Sequence, residues 1–266
     1  MLYDPALVEA VYADPQAALA DVALTAAERT WLVAPDRRRW RADPMRRARG
    51  LQALLEEYPV ASAVLARRAG VSALDAFFSS SVFHGCIQER RSLAATFGHW
   101  LAAHGIPLLS GLADIESAVV AVRRAEQPLI DGDGGAGYTL APTVAVRRLP
   151  GGSLAAFADI QARLARHPQG GLAGVVDLEF AIGRHDVAID SEEGLIVEGG
   201  PQMALGEAPT SLINVLDAAR KSLTADALSA IFLAEGAEPH DVNDLISDLV
   251  ADGLLVFRPG RGPENR

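Results

Sequence analysis

A chain of 266 residues, half of them apolar, is long enough for two domains with a core each and too apolar to stay disordered. Its single cysteine, Cys86, excludes an intramolecular disulfide and a cysteine-based zinc site. Residues 1–126 balance 14 Arg against 14 acids, so the net charge of −10 sits wholly in 127–266. An acidic surface of that kind disfavours nucleic acid and favours a basic or neutral polypeptide.

The first 126 residues read as a run of helices. Leu7–Tyr12 and Gln16–Leu24 are separated by Asp14-Pro15, and Thr25 with Glu28 forms a capping box for Ala26–Val33. Asp43-Pro44 opens a helix that places Leu51, Leu54 and Leu55 on one face. Pro59 starts the next, stopped by Gly70, and Ser72 caps Ala73–Phe78. The longest expected helix runs from Ser80 to Ala103, before Gly105-Ile-Pro107, and a last one spans Leu108–Ala125. The glycine-rich 129–137 is turn chemistry, Tyr138–Leu149 has strand character, Ser153–Arg166 is amphipathic and 167–171 reads as a linker. The N-terminus lacks a basic region followed by an apolar one, and no apolar run approaches about 18 residues. A cytoplasmic protein without membrane contact is expected.

From Val175 onward the pattern is three short strands, Val175–Ile182, Asp186–Asp190 and Gly194–Glu198, and then three helices. The helices are Ser211–Arg220, Thr224–Glu235 and Glu238–Asp252, followed by a strand at Leu254–Phe257. This order predicts a winged helix, so the fold class expected is α+β: an N-terminal helical domain (1–126), a connecting segment (127–172), a C-terminal winged-helix domain of three strands and three helices (173–258) and a disordered tail (259–266). Modules of this kind bind nucleic acid or an extended peptide. The third helix carries five acids and no Lys or Arg, and residues 169–257 hold 3 basic against 16 acidic residues. Such a surface repels phosphates. The expected site is therefore a peptide groove. A strand would add to the edge of Leu195, Ile196 and Val197, with Asp241, Asp244 and Asp248 as an acidic rim that selects basic or polar side chains. A solvated helix face accounts for those acids equally well.

In the helical half, the segment 77–104 (FFSSSVFHGCIQERRSLAATFGHWLAAH) is unusual for a plain packing helix. His84, Gln88 and Arg91 share a face at i, i+4 and i+7, the arrangement expected of a wet partner interface. Together with Asp43-Pro-Met-Arg-Arg-Ala-Arg49 and Leu54-Leu-Glu-Glu-Tyr-Pro59, this segment resembles the small partner subunit of peptide-modifying iron oxidases. In those heterodimers a TIM-barrel enzyme with two or three non-haem irons is paired with a companion protein, as in 3-thiaglutamate and methanobactin biosynthesis. The long helical half is closer to the thiaglutamate type. The resemblance implies a chain with no catalytic residues and no cofactor of its own. It would bind the leader or carrier part of a ribosomally made peptide and present its cysteine to the partner's iron, where the β-carbon of that cysteine is removed oxidatively.

The residues themselves point the same way. His84, His99 and His104 have no Asp or Glu at metal-site spacing, and Cys86 stands two residues from His84 on a helix, where the side chains diverge. The glycines at 132–137 lack the lysine of a phosphate loop. The basic run Arg37–Arg41 with Arg46 and Arg47 is offset by Asp36, Asp43, Glu56 and Glu57. Two other readings stay open: a winged-helix DNA-binding regulator with a helical sensor domain, and a free-standing enzyme whose groups are scattered in sequence.

Overall fold

The computed structural model describes residues 5–37, 44–124, 136–167, 188–200 and 203–259. Helices come first: α1 (Pro5–Ala13), α2 (Pro15–Ala18), α3 (Ala26–Val33), α4 (Pro44–Glu57), α5 (Pro59–Ala69), α6 (Val71–Asp75), α7 (Ser81–Gln88), α8 (Leu93–Ala102) and α9 (Pro107–Arg123). Strands β1 (Gly137–Leu140) and β2 (Val144–Gly151), helix α10 (Ser153–Arg166), and strands β3 (Ala188–Glu198) and β4 (Ala204–Ala208) follow. The chain closes with α11 (Thr210–Ala218), α12 (Ala225–Ala234), α13 (Val242–Ala251) and β5 (Leu255–Arg258). The protein is thus mixed α+β, mainly helical, with a small antiparallel sheet in the order β2-β3-β4 and a separate β1–β5 pair.

Several boundaries follow from local chemistry. The capping box at α3 forms as expected, Thr25 accepting from the Glu28 amide and Glu28 accepting from the Thr25 amide. Gly70, at φ 81°, ends α5. Asp43, the expected cap of α4, lies outside the described residues. Ser72 falls inside α6, and a 3-10 turn at Ala76–Ser79 continues it where one helix was expected.

The helix expected over Ser80–Ala103 is two. Arg90 takes a left-handed φ of 53°, the Arg90 amide returns to Ile87 O and the Arg91 amide to Cys86 O. Those two bonds are a Schellman stop, satisfying carbonyls that a helix end would orphan. Ser92 then caps α8 by accepting from the Ala95 amide. A hydroxyl placed to cap outweighs the apolar period that runs through it.

Two cores share the sheet. Alternate residues of β2 and β3 point to opposite faces. Ala145, Leu149, Leu195 and Val197 join the core built by α4–α10, which includes Tyr58, Phe77, Phe97 and Leu112. Val144, Val146 and Ile196 join the core of α11–α13 with Ile213, Leu216, Phe232, Ile246 and Leu249. The run Leu195-Ile196-Val197 is therefore covered on both faces, each side chain contributing about 1.5–3 kcal/mol by burial. A turn was expected at Ser191–Gly194. Instead β3 continues, Glu192, Glu193 and Gly194 pairing with Pro150, Leu149 and Arg148, and the irregularity lies earlier, where the register shifts and Gly151 pairs with Ala188. Glu193 also caps α10, accepting from the amides of Gly152 and Leu154.

The segment 137–151, expected to connect two domains, supplies β1, the partner of β5, and β2, one side of the sheet. Close approach fixes how the helices meet it. A Cβ on Gly111 of α9 would lie 2.2 Å from Ser153 Oγ, so only glycine lets α9 settle against the β2–α10 turn. The expected strand Val175–Ile182, the turn residues 129–135 and the tail from 260 lie outside the described residues.

Candidate functional site

The two outer strands of the sheet differ in what they offer. On β2, the carbonyl of Val146 accepts from Arg147 Nη1 at 2.8 Å and from Arg220 Nη2 at 2.9 Å. Two guanidinium groups thus close that edge where a further strand would need its acceptor. On β4, Ala204, Leu205, Gly206 and Glu207 are all exposed, and among the described residues no strand lies beyond it. Val146 O bonds outward, so Arg147–Leu195 is the hydrogen-bonded pair of β2–β3 and Ile196–Gly206 that of β3–β4. The amides of Leu205 and Glu207 consequently face out. Leu205, 40% exposed, stands on the face of the helical half; Ala204, Gly206 and Ala208 stand on the other. A Cβ placed on Gly206 would meet nothing within 4 Å, so the second face is an open trough of small residues.

Beside the start of α11 lies an apolar cleft of about 390 Å³, between Leu212 and Val215 of α11, Phe232 of α12, and Leu245 and Leu249 of α13. Its size is that of a small ligand pocket or a side-chain slot. Leu245 is 37% exposed at the cleft, and Asp241, Asp244 and Asp248 occupy the exposed side of α13 opposite buried Val242, Ile246 and Leu249. His240 Nε2 lies 3.3 Å from Asp241 Oδ1, also in the open.

These positions correct the expected groove. Leu195, Ile196 and Val197 belong to the central strand, flanked by β2 and β4, and are buried. They cannot receive an added strand, because their backbone groups are already shared between two neighbours. Only Ile196 approaches α13, through the second core, while the three aspartates face solvent. The six residues therefore do not form one surface. What sequence reasoning missed is β4: Ala-Leu-Gly-Glu-Ala has no β-branched residue, and helix formers dominate it. No local signal marks it, since the apolar run Leu195–Val197 announces cover on its two faces, which the two cores supply, and not a neighbouring strand.

In the helical half, His84 and Gln88 share α7, but the Schellman stop removes Arg91 from their face. Arg91 Nε instead pairs with Glu89 at 3.0 Å, and His84 is half-buried with its ring edge-on to Phe83. Cys86 is buried and its Sγ–H donates to Arg91 O. Arg47 is bound in place by Asp75 and lies over the Phe78 ring, while Arg37 pairs with Glu9. Among the described residues no cluster of three His, Cys, Asp or Glu could hold a metal ion, and no helix is long and apolar enough to cross a membrane.

No protein-family model matches the chain, and no curated protein matches it.

Proposed function

We propose that this chain is a non-catalytic accessory subunit that captures an extended peptide as an added strand on β4 and presents it to a partner enzyme. The observation that carries the reading is the contrast between the sheet's edges: β2 closed by arginines, β4 bare and exposed. An antiparallel sheet of β2, β3 and β4, with α10 between β2 and β3, then three helices and β5 returning beside β1, is an order that suits a winged helix used for peptide recognition. Backbone bonds to the Leu205 and Glu207 amides supply affinity. Glu198 and Glu207 favour basic or polar peptide side chains. The resemblance of 77–104 supplies the identity of the partner in this reading: a TIM-barrel non-haem iron oxidase of the thiaglutamate type, acting on a peptide cysteine, with α7 and its His84 and Gln88 as part of the contact.

A DNA-binding regulator would lay α13 in a groove, and the exposed Asp241, Asp244 and Asp248 oppose the phosphates there. Co-expression with a barrel-type iron protein, followed by size-exclusion chromatography and titration of a labelled precursor peptide, tests the proposal. A one-to-one complex that binds the peptide supports it. Separate elution with no peptide binding refutes it, as does a mobility shift of DNA at low salt. Within the complex, Leu205→Pro removes one outward amide and weakens the peptide by about tenfold, whereas Leu205→Ala keeps the amide and most of the affinity. Equal affinity in the proline variant sinks strand addition at β4.

A further inference from the structure

The cap on β2 is itself a site. Arg147, Arg148, Arg220, Asp217, Val146 and Ile213 line a cleft of about 240 Å³ at the junction of β2 and α11. The guanidinium groups of Arg147 and Arg220 meet in it at one carbonyl, with Arg148 also in its lining. Each uses few of its donors on protein. Arg147 bonds the Val146 carbonyl, Arg220 bonds the same carbonyl and Asp217 at 2.6 Å, and Arg148 bonds Asn214. A guanidinium has five N–H donors, so donors remain for a further acceptor. Arg147 is also under like-charge stress: burial first, then the Arg220 charge, hold its pKa below the ordinary value, against the pull of Asp114, Asp217 and Tyr58. It stays charged, as arginine does.

From this geometry we infer that the β2–α11 cleft binds a carboxylate, held by the forks of Arg147 and Arg220 with Arg148 at its rim. The charge balance chooses the ligand. Three arginines and one carboxylate, Asp217, line the cleft, and Asp114 acts on Arg147 from outside the lining, so the balance is one net positive charge, enough for a monoanion. A carboxylate matches that charge and the planar two-point geometry of a guanidinium. A phosphate dianion would exceed the charge and sit against Asp217. The site lies on the strand opposite β4, so it is independent of strand addition there and stands whether or not the peptide reading does.

The test is a titration of the full chain, with arginine Nε–H resonances followed by NMR, using sodium acetate, inorganic phosphate and a blocked Gly-Glu-Gly tripeptide at constant ionic strength set with chloride. Expected is a saturable shift of the Arg147 and Arg220 signals with acetate, weaker with phosphate. Arg220→Gln weakens the acetate response by about tenfold, the loss of one charge-assisted bond. Arg148→Gln, whose side chain lies outside both cores, gives a partial loss in a fold that Arg148 does not hold. Tighter binding of the tripeptide assigns the site to polypeptide carboxylates, and equal binding assigns it to free ones. A response that is linear in acetate, one reproduced by chloride, or tighter saturation by phosphate overturns the inference.

Discussion

Glu116 of α9 is 3% exposed, and its carboxylate accepts from the amides of Val60 at 2.8 Å and Ala61 at 3.0 Å. It caps α5 from another helix, since Tyr58 at the N-cap offers no side-chain bond and Pro59 follows. Burial pushes its pKa up to about 8, against the two amides, which pull it down. The folded value lies above the ordinary 4.5, so the stability this group contributes is complete below pH 4.5 and is lost as pH rises toward 8. Within that window the unfolded chain has released the proton and the folded chain keeps it. Stability then falls at a limit of about 1.4 kcal/mol per pH unit, or about 5 kcal/mol across the window. Glu116→Gln cannot titrate, but it offers one acceptor oxygen where two are used, so one of the two buried N–H groups loses its partner. We expect urea unfolding to give a variant less stable than wild type by about 1–3 kcal/mol near pH 5, with a profile that stays flat while that of wild type falls toward pH 8. Glu116→Ala orphans both buried amides and costs about 2–6 kcal/mol at low pH. Parallel profiles for wild type and Glu116→Gln from pH 5 to 8 would falsify this, because they would mean that the two amides keep the carboxylate ionised throughout.

Three shorter expectations follow from the packing. A Cβ on Gly98 would meet Ser117 Oγ at 2.4 Å and Tyr58 Oη at 2.5 Å, so Gly98→Ala forces α8 off α9 and lowers stability by about 1–3 kcal/mol in urea unfolding. Gly206→Val on open β4 gains strand preference and raises stability by up to about 1 kcal/mol, while the new side chain fills the trough and lowers peptide affinity in the same titration. The Cys86 thiol, wholly buried, should resist a thiol reagent in the native protein and react at the rate of unfolding in urea; immediate native reaction would contradict its placement.

Much of the helical half was legible because its signals are local. Pro59, Gly70 and the Thr25–Glu28 box each state a boundary within one turn of chain. The three C-terminal helices were legible for the same reason, with Thr224 capping α12 as its sequence position implies. What failed was non-local. Leu195–Val197 looked like an edge waiting for a partner, because the strand character of Tyr138–Leu149 did not say that Val144–Gly151 would pair with it across α10. β4 was invisible for want of β-branched residues, and so the candidate edge was assigned one strand too early. The Ser80–Ala103 break could have been read from Ser92, but a strong apolar period on both sides masked it.

The site's corrected position changes what the acidic helix can do. With β3 in the middle of the sheet, Asp241, Asp244 and Asp248 are no rim to it, and α13 packs chiefly against α12 and β5. Leu205 stands on the face of β4 that the helical half covers further in, where Val197 joins the first core, while Gly206 stands on the face of α11. In the proposed reading, a strand added at β4 therefore offers alternate side chains to the two halves of the protein. One set lies toward the helices that would meet the partner; the other lies toward the module with the apolar cleft. The acids on α13 then act at longer range, as part of a field that draws a basic peptide in, and their effect should fade with salt while that of the β4 amides does not. Peptide titrations at low and high ionic strength separate the two. Asp244→Asn should lower affinity only at low salt, and Leu205→Pro should lower it at both. If Asp244→Asn is as damaging at high salt, α13 contacts the peptide directly and the β4 placement is wrong.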